Sequence, residues 1–158
     1  MEYFNSPTYG RLNFHGVLEK IINYINVNPE KKYRIVIGTD SQLKNSKRYD
    51  FVKAIVVHRV GSGGVYFWQR LVQNKRYVLY QRIYEEALMS LELAEKFIKA
   101  FCPNDISDYA LEIHVDIGRV GETREMINEV VGMVRGQGFE VKTKPEAYGA
   151  ACVADKYT

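Results

Sequence analysis

Apolar and polar residues recur with several different periods along the chain, and each period predicts an element. The first pattern has the three- and four-residue spacing of one helical face. Its apolar positions are Val17, Leu18, Ile21, Ile22 and Ile25. Pro29 follows as a helix stop. We therefore expect an N-terminal helical extension at about residues 14–28.

Three strand-like segments come next. Residues 33–40, "YRIVIGTD", are rich in β-branched residues and predict a buried strand. The polar, turn-like "LKNSKRYD" leads to a second strand, "FVKAIVVHRV", and the tight turn "GSGG" leads to a third, "VYFWQRLVQ". Because these connections are short, the three strands should form an antiparallel meander.

The second half of the chain alternates helices and strands. A long apolar stripe predicts a helix over about residues 79–101, closed by Pro103. The strand "ALEIHVDIG", the helix "ETREMINEVVGMVRGQG", the short strand "FEVKTK" and a final helix, "EAYGAACVADKY", follow. The last two strands are reached through helical crossovers, so they should run parallel to the first strand. We therefore predict one α/β domain over residues 1–158, with a mixed five-stranded sheet of order 3-2-1-4-5 and helices on both faces.

Composition and charge narrow the classes of protein. Hydrophobic residues make up 46% of the 158 residues and charged residues 26%, as in soluble globular proteins. The net charge of +3 permits a nucleic-acid partner without requiring one. The two cysteines, Cys102 and Cys152, form no CxxC pair, which argues against a zinc site or a disulfide framework. No segment resembles a signal peptide or a bilayer span, so we expect a cytoplasmic protein without a membrane partner.

Two predicted strands end on an aspartate. Asp40 ends the first strand and Asp116 the fourth. If these strands are parallel neighbours, both carboxylates lie at the same edge of the sheet, where their repulsion needs a cation or a shared proton. The alternative is that both are loop residues that cap helices and never meet.

Two further acids lie on predicted helices. Glu86 shares a helical face with the apolar residues Leu93 and Phe97, whereas Glu85 lies on a more polar face. Glu86 is therefore the better candidate to point inward. Asp155 follows small residues that would let the last helix lie close to the sheet. Four carboxylates at one edge suit Mg²⁺ or Mn²⁺. Two such ions roughly 4 Å apart support in-line attack on a phosphodiester.

The order of these elements and acids resembles the ribonuclease H-like fold. More closely, "IGTDSQ", "EEALMSLELAE", "HVDIGRVGETREMI", "GMVRGQGF" and "KPEAYGAACVAD" resemble the YkuK family, small bacterial proteins placed in that superfamily. The resemblance covers roughly residues 33–158. It implies the fold and an Asp–Glu–Asp–Asp metal site, which falls on Asp40, Glu86, Asp116 and Asp155. The chain departs from ribonuclease H itself in having no evident basic handle insertion.

If this four-acid site is active, the protein should be a nuclease that hydrolyses phosphodiester bonds by a two-metal mechanism. Asp40 and Asp116 would share the ions, Glu86 would hold one, and Asp155 would hold the other. Basic residues that would contact the phosphate backbone are Lys44, Lys47, Arg48 and Lys156. The alternative for these four is a solvated surface.

Two other classes stay open. One is a non-catalytic binding or scaffold protein that keeps the fold without the chemistry. The other is a phosphate- or nucleotide-binding module, because "DIGRVGET" places glycines before a predicted helix start. RNA, DNA and hybrid are all open as substrates. His58 and His114 fall inside predicted strands and are interpreted as structural.

Overall fold

A computed structural model describes residues 2–101, 109–117 and 124–143, which contain strands, helices and a short 3₁₀ turn. The strands are β1 (Tyr3–Ser6), β2 (Gly10–Asn13), β3 (Tyr33–Asn45), β4 (Arg48–Arg59), β5 (Gly64–Gln73), β6 (Ala110–His114) and β7 (Glu140–Lys142). The helices are α1 (Phe14–Val27), α2 (Leu79–Phe101) and α3 (Ile127–Gly136), and the 3₁₀ turn at Arg124–Met126 precedes α3. None of the helices in these ranges is long and apolar enough to cross a membrane.

The strands form one mixed sheet of order β2-β1-β5-β4-β3-β6-β7. The pairs β3–β4 and β4–β5 are antiparallel, whereas β3–β6 and β6–β7 are parallel. The inner order β5-β4-β3-β6-β7 is therefore the predicted order 3-2-1-4-5. Short turns produce the meander, and the crossovers place β6 and β7 on the far side of β3.

The predicted count of five strands is wrong, because the β1–β2 hairpin adds two strands beyond β5. Each of these strands has only four residues, too few for a clear alternation. The two strands pair over four registers, and β1 joins the sheet through Asn5 opposite Trp68 of β5. Pairing with a distant strand, rather than a local pattern, fixes this hairpin.

The first long strand also extends further than predicted. The sequence indicated an end at Asp40, but β3 continues to Asn45 and pairs with β4 nearly to the turn. Most residues of the polar "LKNSKRYD" segment therefore pair between β3 and β4, and only its centre forms the turn. The parallel partner β6 stops earlier, with Gly38 opposite His114 as the last pair. Asp40 thus lies where the neighbouring strand ends, and its own strand continues as a projecting hairpin.

In the described part of the chain, the three helices pack against one face of the sheet, so the predicted placement of helices on both faces depends on residues outside it. Ile35 and Ile37 of β3 join the same buried cluster as the inward residues of α1, α2 and α3. Because strand residues alternate, Val36 faces the other way, into a smaller cluster with Val52 and Ala54. The predicted final helix, after residue 145, lies outside the described residues.

Candidate active site

The parallel pairing of β3 and β6 brings two aspartates to one end of the sheet. Gly38 and His114 are register partners, and each is followed two residues later by an acid, Asp40 on β3 and Asp116 after β6. Parallel strands present the same end at the same edge of a sheet, so both acids come from neighbouring backbone positions.

Glu86 comes to this end from α2. Its side chain is 8% exposed, whereas Glu85 is partly exposed, so Glu86 is the inward residue of the pair. The helical period also places Ser90 on the buried side, one turn further along. The hydroxyls of Ser90 and Thr39 share a buried hydrogen bond of 2.8 Å. This bond ties α2 to β3 one residue before Asp40.

The electrostatics of Glu86 show which groups surround it. Burial raises the pKa of Glu86 well above its ordinary value, and the negative charge of Asp40 raises it further. Arg82 opposes these effects with its positive charge, and Asp116 again raises the pKa. Three of the four acids predicted from the sequence therefore act on one another.

A buried hydroxyl lies beside the carboxyl group of Glu86. Ser41 slightly lowers the pKa of Glu86, although its Oγ makes no hydrogen bond of ordinary geometry in the described part of the chain. Buried hydroxyls normally have a partner. Ser41 thus adds a further oxygen, with unused bonding capacity, to the set of hard oxygen atoms at this end of the sheet.

The donor chemistry of these residues fits Mg²⁺ or Mn²⁺, which prefer oxygen ligands. In ranges 2–101, 109–117 and 124–143, however, no three acid, histidine or cysteine side chains lie close enough together to hold a metal ion. The fourth predicted ligand, Asp155, lies outside these ranges. The four-residue metal site therefore stays a prediction.

A second buried acid lies on the other face of the sheet. Glu112 accepts two hydrogen bonds from Arg34, both of 2.8 Å, and lies 3.2 Å from Nε2 of His114. Burial raises the pKa of Glu112, but the bonds from these two neighbours outweigh burial and lower it. Burial lowers the pKa of His114 more than Glu112 raises it. The Glu112 carboxylate is therefore paired within the protein, four residues before Asp116.

The predicted phosphate contacts lie on the β3–β4 hairpin, beyond Asp40. Lys44 and Lys47 are exposed, and Lys44 donates to the side chain of Gln42. Arg48 instead forms an ion pair of 2.9 Å with the buried Asp50. Its charge is therefore partly neutralised within the protein. The fourth predicted contact, Lys156, and most of the "DIGRVGET" loop lie outside the described residues.

Sequence reasoning missed Arg82. The residue lies four positions before Glu86, a spacing that places both side chains on one helical face. The four-residue spacing could therefore have indicated from the sequence that Arg82 lies near Glu86. The contact of Arg82 with the ring of Tyr49, whose centroid lies 5.6 Å from the guanidinium carbon, joins α2 to β4 and has no local signal.

Comparison with known proteins agrees with this fold. Residues 16–158 match the family described as Ribonuclease H-like, and the chain belongs to that family. It is similar to the uncharacterized protein YkuK of Bacillus subtilis (strain 168), with 29% identity over 170 residues, covering 98% of this chain and 96% of that protein. The resemblance to YkuK proteins is thereby confirmed. No solved structure matches the chain. Membership of a ribonuclease H-like family indicates a function related to nucleic acid.

Proposed function

We propose that the protein is a metal-dependent nuclease that hydrolyses phosphodiester bonds in nucleic acid. The observation that carries this proposal is the environment of Glu86, a buried carboxyl group whose pKa is raised by burial and by the charges of Asp40 and Asp116. A fold gains nothing from burying one acid beside two others, so such a cluster marks a functional site.

The ligands in this proposal are Asp40, Glu86 and Asp116, together with Asp155. All supply carboxylate oxygens, the donors that Mg²⁺ and Mn²⁺ prefer. When bound, two such ions lower the pKa of an attacking water and stabilise the leaving 3′-oxygen.

In this proposal, the other residues of the site either position the acids or contact the nucleic acid. The hydrogen bond between Thr39 and Ser90 holds α2 against β3, which fixes the height of Glu86 relative to Asp40. Because Glu86 is almost fully buried, charges act on it more strongly than they would in water. Lys44 and Lys47, on the projecting hairpin, are exposed and would contact the phosphate backbone.

The test is a cleavage assay with Mg²⁺ or Mn²⁺ on single-stranded and double-stranded RNA and DNA and on hybrids. Wild-type protein should cleave at least one substrate, and Asp40→Asn should abolish cleavage while the protein stays folded. The amide keeps the shape of the side chain but removes a negative charge from the site. Glu85→Gln removes a charge from the neighbouring, outward position and should leave cleavage unchanged.

The other outcomes separate the alternatives. If wild-type protein cleaves nothing but melts at a higher temperature with Mn²⁺, the site binds metal and the chain is a non-catalytic binding protein. Saturable ATP binding at equilibrium, without cleavage, would instead support a nucleotide-binding module. If millimolar Mn²⁺ changes neither melting nor cleavage, the metal-dependent nuclease is excluded.

A further inference from the structure

Arg82 is a positive charge that acts on the buried carboxyl group of Glu86. It lies one helical turn before Glu86 on the same side of α2. Its charge opposes the effects of Asp40 and Asp116 on the Glu86 carboxyl group. An arginine stays charged at any pH at which proteins fold, so this compensation is permanent.

The position of the Arg82 guanidinium is fixed by an aromatic pair. Its central carbon lies 5.6 Å from the centroid of the Tyr49 ring, within the range of a cation–π contact. Tyr49 is itself 9% exposed, and its ring meets that of Tyr77 edge-on at 5.5 Å. The Tyr49 hydroxyl donates to the backbone oxygen of Tyr77 at 3.3 Å. The Arg82 side chain therefore packs against a tyrosine of β4 that is itself held by the segment before α2.

One donor of Arg82 is not used. Its Nε atom is buried and has no hydrogen-bond partner among the residues that the structure describes. Arginine side chains bury this group mainly when an acceptor satisfies it. Within the described residues, the contact with the Tyr49 ring is therefore what holds the Arg82 side chain.

We infer that Arg82 is a positioning residue that acts as a built-in cation of the acidic site and competes with a divalent ion there. Before metal binds, its charge offsets the mutual repulsion of Asp40, Glu86 and Asp116. When a divalent ion binds the carboxylates, the same charge repels the ion. Arg82 thereby lowers the metal affinity of the site and stabilises its metal-free form. The part of the inference that concerns metal rests on the proposed function.

The first test measures Mn²⁺ binding by calorimetry. Arg82→Gln should bind Mn²⁺ more tightly than wild-type protein by roughly three- to tenfold, because a positive charge beside the ion has been removed. Arg82→Lys should bind like wild type. Arg76→Gln, a matched loss of one charge just before α2, should also bind like wild type. A purely structural arginine predicts unchanged or weaker binding in Arg82→Gln, and that result would overturn the inference.

The second test needs no metal. Arg82→Gln, Glu86→Gln and the double variant are unfolded thermally in buffer that contains a chelator. Arg82→Gln should lower the melting temperature in the wild-type background and should lower it much less in the Glu86→Gln background. Equal losses in the two backgrounds would mean that the two side chains do not interact, and the inference would fail.

These two tests separate this inference from the proposed function. If wild-type protein binds no Mn²⁺, the nuclease proposal is lost, and the metal-free cycle alone decides whether Arg82 is a built-in cation. If wild-type protein binds Mn²⁺ and the cycle is additive, the metal site stands and the role of Arg82 is rejected.

Discussion

Two buried glutamates in this protein have opposite surroundings. Glu112 is 3% exposed and meets Arg34 and His114, which together lower its pKa. Glu86 is 8% exposed, and the charges of Asp40 and Asp116 add to the effect of burial and raise its pKa. The charge of Glu112 is compensated by partners within the protein. The charge of Glu86 is compensated only in part and would need a further cation or a proton.

Under the proposed function, this difference separates a structural acid from a functional one. The two hydrogen bonds from Arg34 satisfy Glu112, so this residue cross-links β3 and β6. Among the described residues, one positive charge, Arg82, and two negative ones act on Glu86. Domains are only marginally stable, so a cluster that costs stability persists when it serves a function.

The largest effect on stability should come from the paired acid. Glu112→Gln removes the charge that Arg34 binds and should lower the free energy of unfolding by about 2 kcal/mol, because charge-assisted hydrogen bonds are lost at a buried position. The half-exposed Arg34 keeps access to water, which limits the loss. Urea unfolding measures the change.

The control for this variant is on the adjacent strand. Glu140 is the register partner of Glu112, is exposed, and pairs with Lys142 at 3.3 Å. Exposed pairs contribute little, so Glu140→Gln should change the free energy of unfolding by less than about 0.5 kcal/mol. Equal losses in the two variants would show that Glu112 is not a buried structural acid.

The opposite sign is expected at Glu86. Without metal, Glu86→Gln should raise the free energy of unfolding by about 1 kcal/mol at neutral pH, because a carboxyl group whose pKa is raised on folding disfavours the folded state there. Glu85→Gln, next to it on the wetter line, should have almost no effect. If Glu86→Gln destabilises the metal-free protein, the like-charge environment of Glu86 is wrong.

The pH dependence of these two variants should differ in direction. The folded-state pKa of Glu86 is raised, so its contribution to stability is present below about 4.5 and is lost as pH rises through the raised pKa. The gain from Glu86→Gln should therefore grow with rising pH.

The folded-state pKa of Glu112 is lowered, so its contribution to stability is present above its ordinary pKa and is lost as pH falls through the lowered one. The deficit of Glu112→Gln should therefore shrink in acid. Melting curves across this range would contradict the comparison if both differences moved the same way.

The sequence predicts the centre of the sheet better than its borders. Short turns and helical crossovers, which are local features, determine the order of β3 to β7. The β1–β2 hairpin depends on pairing with β5, and the length of β3 beyond Asp40 depends on β4. Neither is visible in a local pattern of mostly polar residues.

The same distinction applies to the site. The inward position of Glu86 follows from the helical period, and the approach of Asp40 and Asp116 follows from parallel neighbouring strands. The contact between Arg82 and Tyr49 joins residues 33 positions apart in sequence, 82 minus 49, and depends on how α2 packs on β4. Such tertiary contacts cannot be derived from spacing alone.

The most direct test of the acidic site as a metal site is a Mn²⁺ titration of three proteins followed by thermal unfolding. The melting temperatures of wild-type protein and Glu85→Gln should rise with the Mn²⁺ concentration, because the ion binds the folded state. Glu86→Gln should start from a higher melting temperature without metal and gain much less. If all three proteins respond alike, or wild-type protein does not respond at millimolar Mn²⁺, the cluster around Glu86 is not a metal site.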